Sequence, residues 1–189
     1  MIKTAQSPKS VARPNQQLSL LALAPEGAQV LRRLTDQAVS VGCNIIEAKE
    51  TPVGNCTAII LLADGNWDAI ARLEQAAPKV AEKLKLKSLT QRVQPATPHS
   101  DRLPYAVDLS SADKPGILSS LIEFFTSRDV IIMELSARSY PATHTGAMLF
   151  TVQMNIGLAR DMHIATVRDE FMDFCDSMNL DAILEPIKG

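Results

Sequence analysis

The segment with the clearest chemical potential reads Asp-Lys-Pro-Gly-Ile-Leu and lies between a strand-like apolar run, 105–109, and a helix-like amphipathic run, 117–128. Pro115 suits the first turn of a helix, where its missing N–H is not needed, and Asp113 is expected to cap the amides of that turn. Gly116 allows close approach of the backbone to a ligand. Exposed amides at a helix start attract small anions such as carboxylates. The candidate binding residues are Asp113, Lys114, Pro115, Gly116, Ile117 and Leu118, although a capped turn without a ligand is the commoner explanation of such a sequence.

The composition is that of an ordinary globular chain. Its 189 residues are 46% hydrophobic and 21% charged, which fits one or two domains. A net charge of −2 gives no general attraction to nucleic acid or anionic membranes. The apolar runs are too short to span a bilayer, and the N-terminus lacks the apolar core of a signal peptide. Cys43, Cys56 and Cys175 are widely spaced, which predicts reduced thiols in the cytoplasm and neither a zinc site nor a disulfide framework.

The chain repeats itself at an offset of 87 residues. Val30-Leu31 aligns with Ile117-Leu118, and Ile45-Ile46 aligns with Ile132-Met133. A repeat of this length indicates a duplicated domain.

Each half contains the order strand, helix, strand, strand, helix, strand. This βαββαβ order predicts an α+β protein with two ferredoxin-like domains, each an antiparallel sheet with its helices on one face. Because each half is small for a stable core, we expect the halves to pair, and a homo-oligomer is possible on the same grounds. The expected organisation is a disordered tail at 1–15, a first domain at 16–92, a linker at 93–103 and a second domain at 104–189.

Three local predictions concern the second helix of the first domain. Asp64 and Asp68 are expected to cap this helix where it starts at Trp67. Trp67 is expected to anchor the helix to the sheet. Pro78 is expected to kink or split the helix.

No catalytic or metal-binding constellation is visible, so we expect neither an enzyme nor a bound cofactor. His99, His144 and His163 fall in a linker, a hairpin loop and a helix start, where solvated or capping roles are usual. Glu47 and Glu134 occupy equivalent strand positions and are expected to face solvent or to pair with nearby basic side chains. Aromatic residues make up only 4% of the chain, which disfavours the RNA-binding modules that share this element order.

The loop and the element order together resemble the ACT domain, a small regulatory module whose typical ligands are amino acids. The resemblance covers nearly the whole chain as two copies. Three segments further resemble the glycine cleavage system transcriptional repressor group: 41–47, 65–70 and 132–141. This resemblance implies a protein without a DNA-binding domain that senses a small amino acid, glycine in that group, and contacts a separate transcription factor.

The two copies depart from the ACT pattern in complementary ways. In the first copy Ala28-Gln29 replaces the expected Pro-Gly pair, and in the second copy Ile131 stands where the first copy has Asn44. In ACT pairs a ligand often lies between the loop of one copy and the second strand of its neighbour, so the resemblance implies one composite site formed by Asn44 and the Asp113 loop. An equally weighted alternative is that both sites have decayed and the protein is a ligand-free scaffold.

The sequence thus predicts a cytoplasmic, non-catalytic regulator with a small amino acid and a protein, expected to be a transcription factor, as partners. Neither nucleic acid nor membrane is expected as a direct partner. One alternative is an amino-acid-binding regulatory subunit of a metabolic enzyme.

Overall fold

The computed structural model describes residues 16–25, 29–96 and 101–187, and the chain divides into two compact units, Met1–Thr97 and Pro98–Gly189. The predicted tail at 1–15, part of the predicted linker and His99 lie outside the described residues. In the first unit the elements are β1 (Gln16–Pro25), α1 (Val30–Ser40), β2 (Asn44–Val53), β3 (Cys56–Gly65), α2 (Trp67–Lys83) and β4 (Lys87–Val93). In the second unit they are β5 (Arg102–Ala112), α3 (Ile117–Thr126), β6 (Ile131–Pro141), β7 (Met148–Ala159), α4 (Ile164–Met178) and β8 (Asp181–Pro186).

Both units contain one antiparallel four-stranded sheet, which confirms the predicted fold class. The strand orders are β2-β3-β1-β4 and β6-β7-β5-β8, so the same arrangement occurs twice. Each second strand carries an irregularity at the same place, between Ile45 and Glu47 in β2 and between Ile132 and Glu134 in β6. Such bulges redirect a strand and are specific features of a fold. Their repetition supports duplication of one ancestral domain.

Each core lies between the sheet and its two helices. In β1 every second side chain from Leu18 to Ala24 is buried, as the period of a strand requires. In α1 the buried residues Val30, Leu34 and Ala38 recur every fourth position, as the predicted helical stripe requires. The core of the second unit is richer in aromatic residues. There Phe124 lies 5.0 Å from Phe174 and 5.6 Å from Phe171 between ring centroids.

Helix α2 corrects the predictions for its cap and for Trp67. The helix is capped by Asn66, whose side-chain oxygen accepts a hydrogen bond from the amide of Ala69 at 2.8 Å, and not by Asp64 or Asp68. Asp68 instead forms an ion pair with Arg72, one turn further along. Trp67 is 53% exposed, so it does not anchor the helix to the sheet.

Pro78 lies within α2 without ending it. Proline in a helix interior costs about 3 kcal/mol because it removes a hydrogen bond and crowds the preceding turn. On either side of Pro78, Ala77 and Ala81 are fully packed against the core, at 0% and 3% exposure. Burial of this face outweighs the local preference, since tertiary packing supplies most of the stability of helices in proteins.

Some strands are longer than the sequence predicts. Strand β5 begins at Arg102 and not at Tyr105. The side chain of Arg102 is bound by Asp129, which lies outside the sheet. The guanidinium of Arg102 donates hydrogen bonds to the backbone oxygen of Asp129 at 2.7 Å and to its carboxylate at 3.2 Å.

Among the described residues, no helix combines the length and apolar character that crossing a membrane requires.

Candidate functional site

The candidate segment connects the end of β5 to the start of α3. Its first residue is tied to the sheet, because the amide of Asp113 donates a hydrogen bond to the backbone oxygen of Met148 at 2.9 Å. Its last part is tied to the core by Ile117, which is 3% exposed. Between these two attachments, Asp113, Lys114, Pro115 and Gly116 are all exposed. The structure therefore presents a short polar loop held firmly at both ends.

The start of α3 differs from the capped turn that the sequence predicts. The N-cap is Gly116 in a left-handed conformation, with φ of +94°, and no side chain caps the helix. Asp113 lies three residues before the N-cap and is not the capping residue, and Pro115 precedes the helix and does not open it. The φ fixed by the proline ring and the positive φ of the glycine together set the direction in which the chain enters the helix.

The uncapped start leaves hydrogen-bond donors available. The first intrahelical bond of this turn runs from the amide of Ser120 to the oxygen of Gly116 at 2.9 Å. The amides of Ile117, Leu118 and Ser119 therefore have no acceptor within the helix. Three neighbouring N–H groups at the positive end of the helix dipole favour a small anion.

The equivalent turn of the first unit has the same backbone form. There the N-cap is Gln29, also left-handed with φ of +48° and also without a side-chain cap. A residue with a Cβ rarely adopts this conformation. The substitution of glycine by glutamine thus changes the side chain but keeps the geometry of the turn. Residues 26–28, which complete this loop, lie outside the described part of the chain.

Asn44 is the first residue of β2 in the first unit, and its side chain is exposed. It follows the left-handed Gly42 and the buried Cys43, and in the strand register it faces Asp64. Ile131, its counterpart, begins β6 in the second unit and is partly buried. The chemical difference between the two positions noted from the sequence is therefore also a difference in exposure.

Other polar residues have local structural roles. Glu47 pairs with Lys49 at 3.8 Å, as predicted, and the Glu134 carboxylate accepts a hydrogen bond from the side-chain Nδ2 of Asn155 at 3.2 Å. His163 precedes α4 as its N-cap residue without a side-chain hydrogen bond. Within the described ranges, no group of His, Cys, Asp and Glu is arranged to hold a metal ion.

The three cysteines are free thiols, as predicted. Cys43 and Cys175 are buried, and Cys56 is partly exposed. Burial, with a smaller contribution from the neighbouring Asp176 carboxylate, raises the pKa of the Cys175 thiol to about 11. Burial likewise raises the pKa of Cys43, with Asp64 as the second cause. Protonated, buried thiols of this kind are poor nucleophiles.

One feature was missed by the reasoning from sequence. The sheet face of the second unit that lies away from its helices forms a concavity of about 790 Å³, lined by residues of all four strands. Polar side chains alternate with core residues along β5 and β7, so the alternation itself was visible in the sequence. Which of these side chains meet across strands depends on the register, which local patterns do not reveal.

The architecture and the loop define the class of protein. A family model described as an ACT domain matches residues 21–91. The second unit repeats the element order, the strand order and the bulge of the first. The chain therefore resembles a tandem pair of ACT domains, with the matched segment in the first unit and the same architecture in the second.

Its relatives include two curated proteins that carry the same description. The glycine cleavage system transcriptional repressors of Escherichia coli (strain K12) and Shigella flexneri are each 26% identical to this chain over 166 residues, which cover 86% of this chain and 85% of theirs. The chain thus resembles the glycine cleavage system transcriptional repressor group, whose two curated members are described as regulators of transcription.

Two solved structures share the complete fold. A crystal structure of a protein provisionally described as a glycine cleavage system transcriptional repressor has a TM-score of 0.69 and 20% identity, covering 93% of this chain and 99% of its own. A protein of unknown function from Galdieria sulphuraria has a TM-score of 0.75 and 16% identity, covering 93% of this chain and 100% of its own. At these identities the likeness establishes the fold alone.

Proposed function

We propose that this protein senses a small amino acid, with glycine as the first candidate, and controls transcription by contacting a transcription factor. The observation that carries the proposal is the uncapped start of α3, where three amides without intrahelical acceptors lie beside an exposed aspartate. The likeness to the repressors supports the choice of glycine and of transcription as the output. The proposed location is the cytoplasm, where both partners occur.

The binding mode follows from the donors and acceptors of the loop. The ligand carboxylate accepts hydrogen bonds from the amides of Ile117 and Leu118, near Gly116. Its ammonium is bound by the carboxylate of Asp113, whose oxygens accept hydrogen bonds. Lys114 adds positive charge beside the carboxylate.

Regulation requires that the ligand favour one state of the protein over another. A ligand shifts a conformational equilibrium only by its difference in affinity for the two states. Binding at the Asp113–Leu118 segment orders this loop and favours one arrangement of the protein. That arrangement has a different affinity for the transcription factor, which gives two linked binding sites.

Calorimetric titration with glycine, and then with alanine and serine, tests the ligand. Saturable glycine binding that Asp113→Ala weakens about tenfold or more is expected, because a hydrogen bond to a charged group contributes about 1.5–3 kcal/mol. Asp169→Ala is the matched control, since Asp169 is an exposed aspartate on α4 in the same unit. Wild-type protein that binds none of these amino acids contradicts the sensor and favours the ligand-free scaffold.

Transcript levels test the output separately. Glycine cleavage genes are measured in cells that lack this protein and in cells complemented with the wild type or with Asp113→Ala, with and without added glycine. We expect the wild type to restore a glycine-dependent response and Asp113→Ala to abolish the dependence. Unchanged transcript levels in all strains, together with normal glycine binding, favour a regulatory subunit of a metabolic enzyme.

A further inference from the structure

The face of the second sheet that lies away from α3 and α4 is concave, and it carries charged and hydroxyl side chains beside apolar ones such as Ile183. Val107, Leu109 and Val152 point into the core and are at most 3% exposed. The residues between them on the same strands line the concavity of about 790 Å³. This volume lies within the range of about 300–1,000 Å³ that is typical of small-ligand sites.

One row of side chains crosses all four strands of this face. In the strand register Arg138 faces Thr151, Thr151 faces Ser110, and Ser110 faces Asp181. We call these four residues the cross-strand row. It has a cation at one edge strand, a carboxylate at the other and two hydroxyl groups between them. Neighbouring strands are about 4.8 Å apart, so the backbone positions of Arg138 and Asp181 are separated by about 14 Å.

The two charged ends of the row are not committed to other side chains. Within the part of the chain that the structure describes, neither the guanidinium of Arg138 nor the carboxylate of Asp181 forms an ion pair or hydrogen bond. By contrast, Arg92, Arg102 and Arg128 each pair with a carboxylate at 2.7–3.2 Å. Arg138 and Asp181 are therefore available to a ligand.

We propose that the cross-strand row is a second ligand site, which takes a short extended zwitterion such as a peptide of two or three residues with free termini. The ligand carboxylate binds Arg138, whose planar guanidinium matches a carboxylate through two parallel hydrogen bonds. The ligand ammonium binds Asp181. The Thr151 hydroxyl donates to the backbone oxygen of Arg138 at 3.4 Å, so it accepts a hydrogen bond from a peptide N–H of the ligand. The Ser110 hydroxyl donates to or accepts from the next peptide group.

Length is what distinguishes this ligand from a free amino acid. An extended residue spans about 3.3–3.6 Å, and the Arg138 side chain is long enough to reach a ligand that does not fill the whole gap of about 14 Å. Two or three residues therefore bring their terminal charges to both ends of the row. A free α-amino acid carries both charges on one carbon and reaches only one end. This site is separate from the Asp113–Leu118 segment and does not depend on glycine binding there.

The test uses a series of ligands that differ only in length. Glycine, diglycine, triglycine and tetraglycine are titrated into the isotopically labelled full-length protein, and binding is followed through backbone amide chemical shifts. We expect diglycine or triglycine to bind most tightly at the cross-strand row, with shifts in β6 and β8. Equal affinity for glycine at this face overturns the requirement for separated charges.

Blocked ligands test each end without altering the protein. N-acetyl-triglycine lacks the ammonium and triglycine amide lacks the carboxylate, and each is expected to bind about fivefold or more weakly than triglycine. Because both charged residues are exposed, the affinity of triglycine should also fall as salt is raised. Unchanged affinity of both blocked peptides refutes the proposed orientation.

Variants then assign the ends to residues. Arg138→Gln should lower the affinity for triglycine about fivefold or more and leave the affinity for triglycine amide unchanged. Asp181→Asn should lower the affinity for triglycine and leave the affinity for N-acetyl-triglycine unchanged. Arg33→Gln and Asp169→Asn serve as charge-matched controls, since both residues are exposed on helices. Failure of every glycine peptide to bind the wild type, or binding that neither variant changes, overturns the proposal.

Discussion

The left-handed Gly116 leads to a quantitative prediction for Gly116→Ala. Its φ of +94° is unfavourable for any residue with a Cβ, while a Cβ built at this position meets no atom within 4 Å. The substitution therefore introduces backbone strain without a steric clash. Strain of this kind costs about 1–2 kcal/mol, which is a factor of about 5–30 in the folded-to-unfolded ratio.

The duplicated domain provides the control. Gln29 occupies the equivalent N-cap with φ of +48° and already has a Cβ. Gln29→Ala adds no new strain, so its effect should stay within about 0.5 kcal/mol. Comparison of the two variants separates the cost of the left-handed conformation from the cost of altering a helix start.

Native-state hydrogen exchange is the appropriate assay, because chains with two domains need not unfold in one step. Leu121 and Phe125 in α3 report on the second unit, and Leu34 and Ala38 in α1 report on the first. We expect Gly116→Ala to speed exchange at the α3 amides alone, about 5–30-fold. Exchange at Leu121 and Phe125 that matches the wild type refutes the reasoning, as does an equal effect of Gln29→Ala on α1.

Three further predictions concern the caps, the core and the thiols. Asn66→Ala should destabilise the first unit by about 0.5–2 kcal/mol in denaturant unfolding followed by Trp67 fluorescence, because the amide of Ala69 loses its cap; no change implies that water replaces the side chain. Phe171→Ala should lower the free energy of unfolding of the second unit by about 3–5 kcal/mol, because Phe171 is fully buried. Met172→Ala should lower it far less, because Met172 is 42% exposed. For Cys175 burial raises the folded pKa to about 11, above the ordinary value of a thiol. The contribution of the protonated thiol to stability is therefore fully present below pH 9 and is lost as the pH rises towards 11. Cys175→Ala should accordingly reduce the fall of Tm with pH over this range. An unchanged slope of Tm against pH contradicts this prediction.

The order and type of the elements were predictable because they follow from periodicity. The stripe of Val30, Leu34 and Ala38 and the buried alternation in β1 are strong local signals, and their repetition after 87 residues identified the duplication. These signals work because each helix and strand must bury one face. The predicted class of fold was therefore correct although individual ends were not.

The errors arose where two local explanations competed. Asp64, Asn66 and Asp68 are all acceptable capping residues, and only the path of the chain into α2 selects Asn66. The helix is not split at Pro78, because the burial of its neighbours, which cannot be seen in local propensity, stabilises the continuous helix. In each case a tertiary contact decided between local alternatives.

In the candidate sites, too, some features follow from local sequence and others depend on the tertiary structure. The Asp113–Leu118 segment is contiguous, so its residue types and spacing drew attention to it directly, but its uncapped helix start depends on the backbone of Gly116. The cross-strand row joins residues that are far apart in sequence, and only the register of three strand pairs places Arg138 and Asp181 at its two ends. Sites that are built across strands therefore require a structure to be recognised.

The most direct test of the central claim is a glycine titration that reads the amides at the start of α3. A carboxylate bound at this position must perturb the backbone amides of Ile117, Leu118 and Ser119 in a saturable manner. The account predicts shifts concentrated at these three residues and at Asp113, and their loss in Asp113→Ala but not in Asp169→Ala. Glycine that binds without perturbing these amides, or that does not bind at all, would contradict the account.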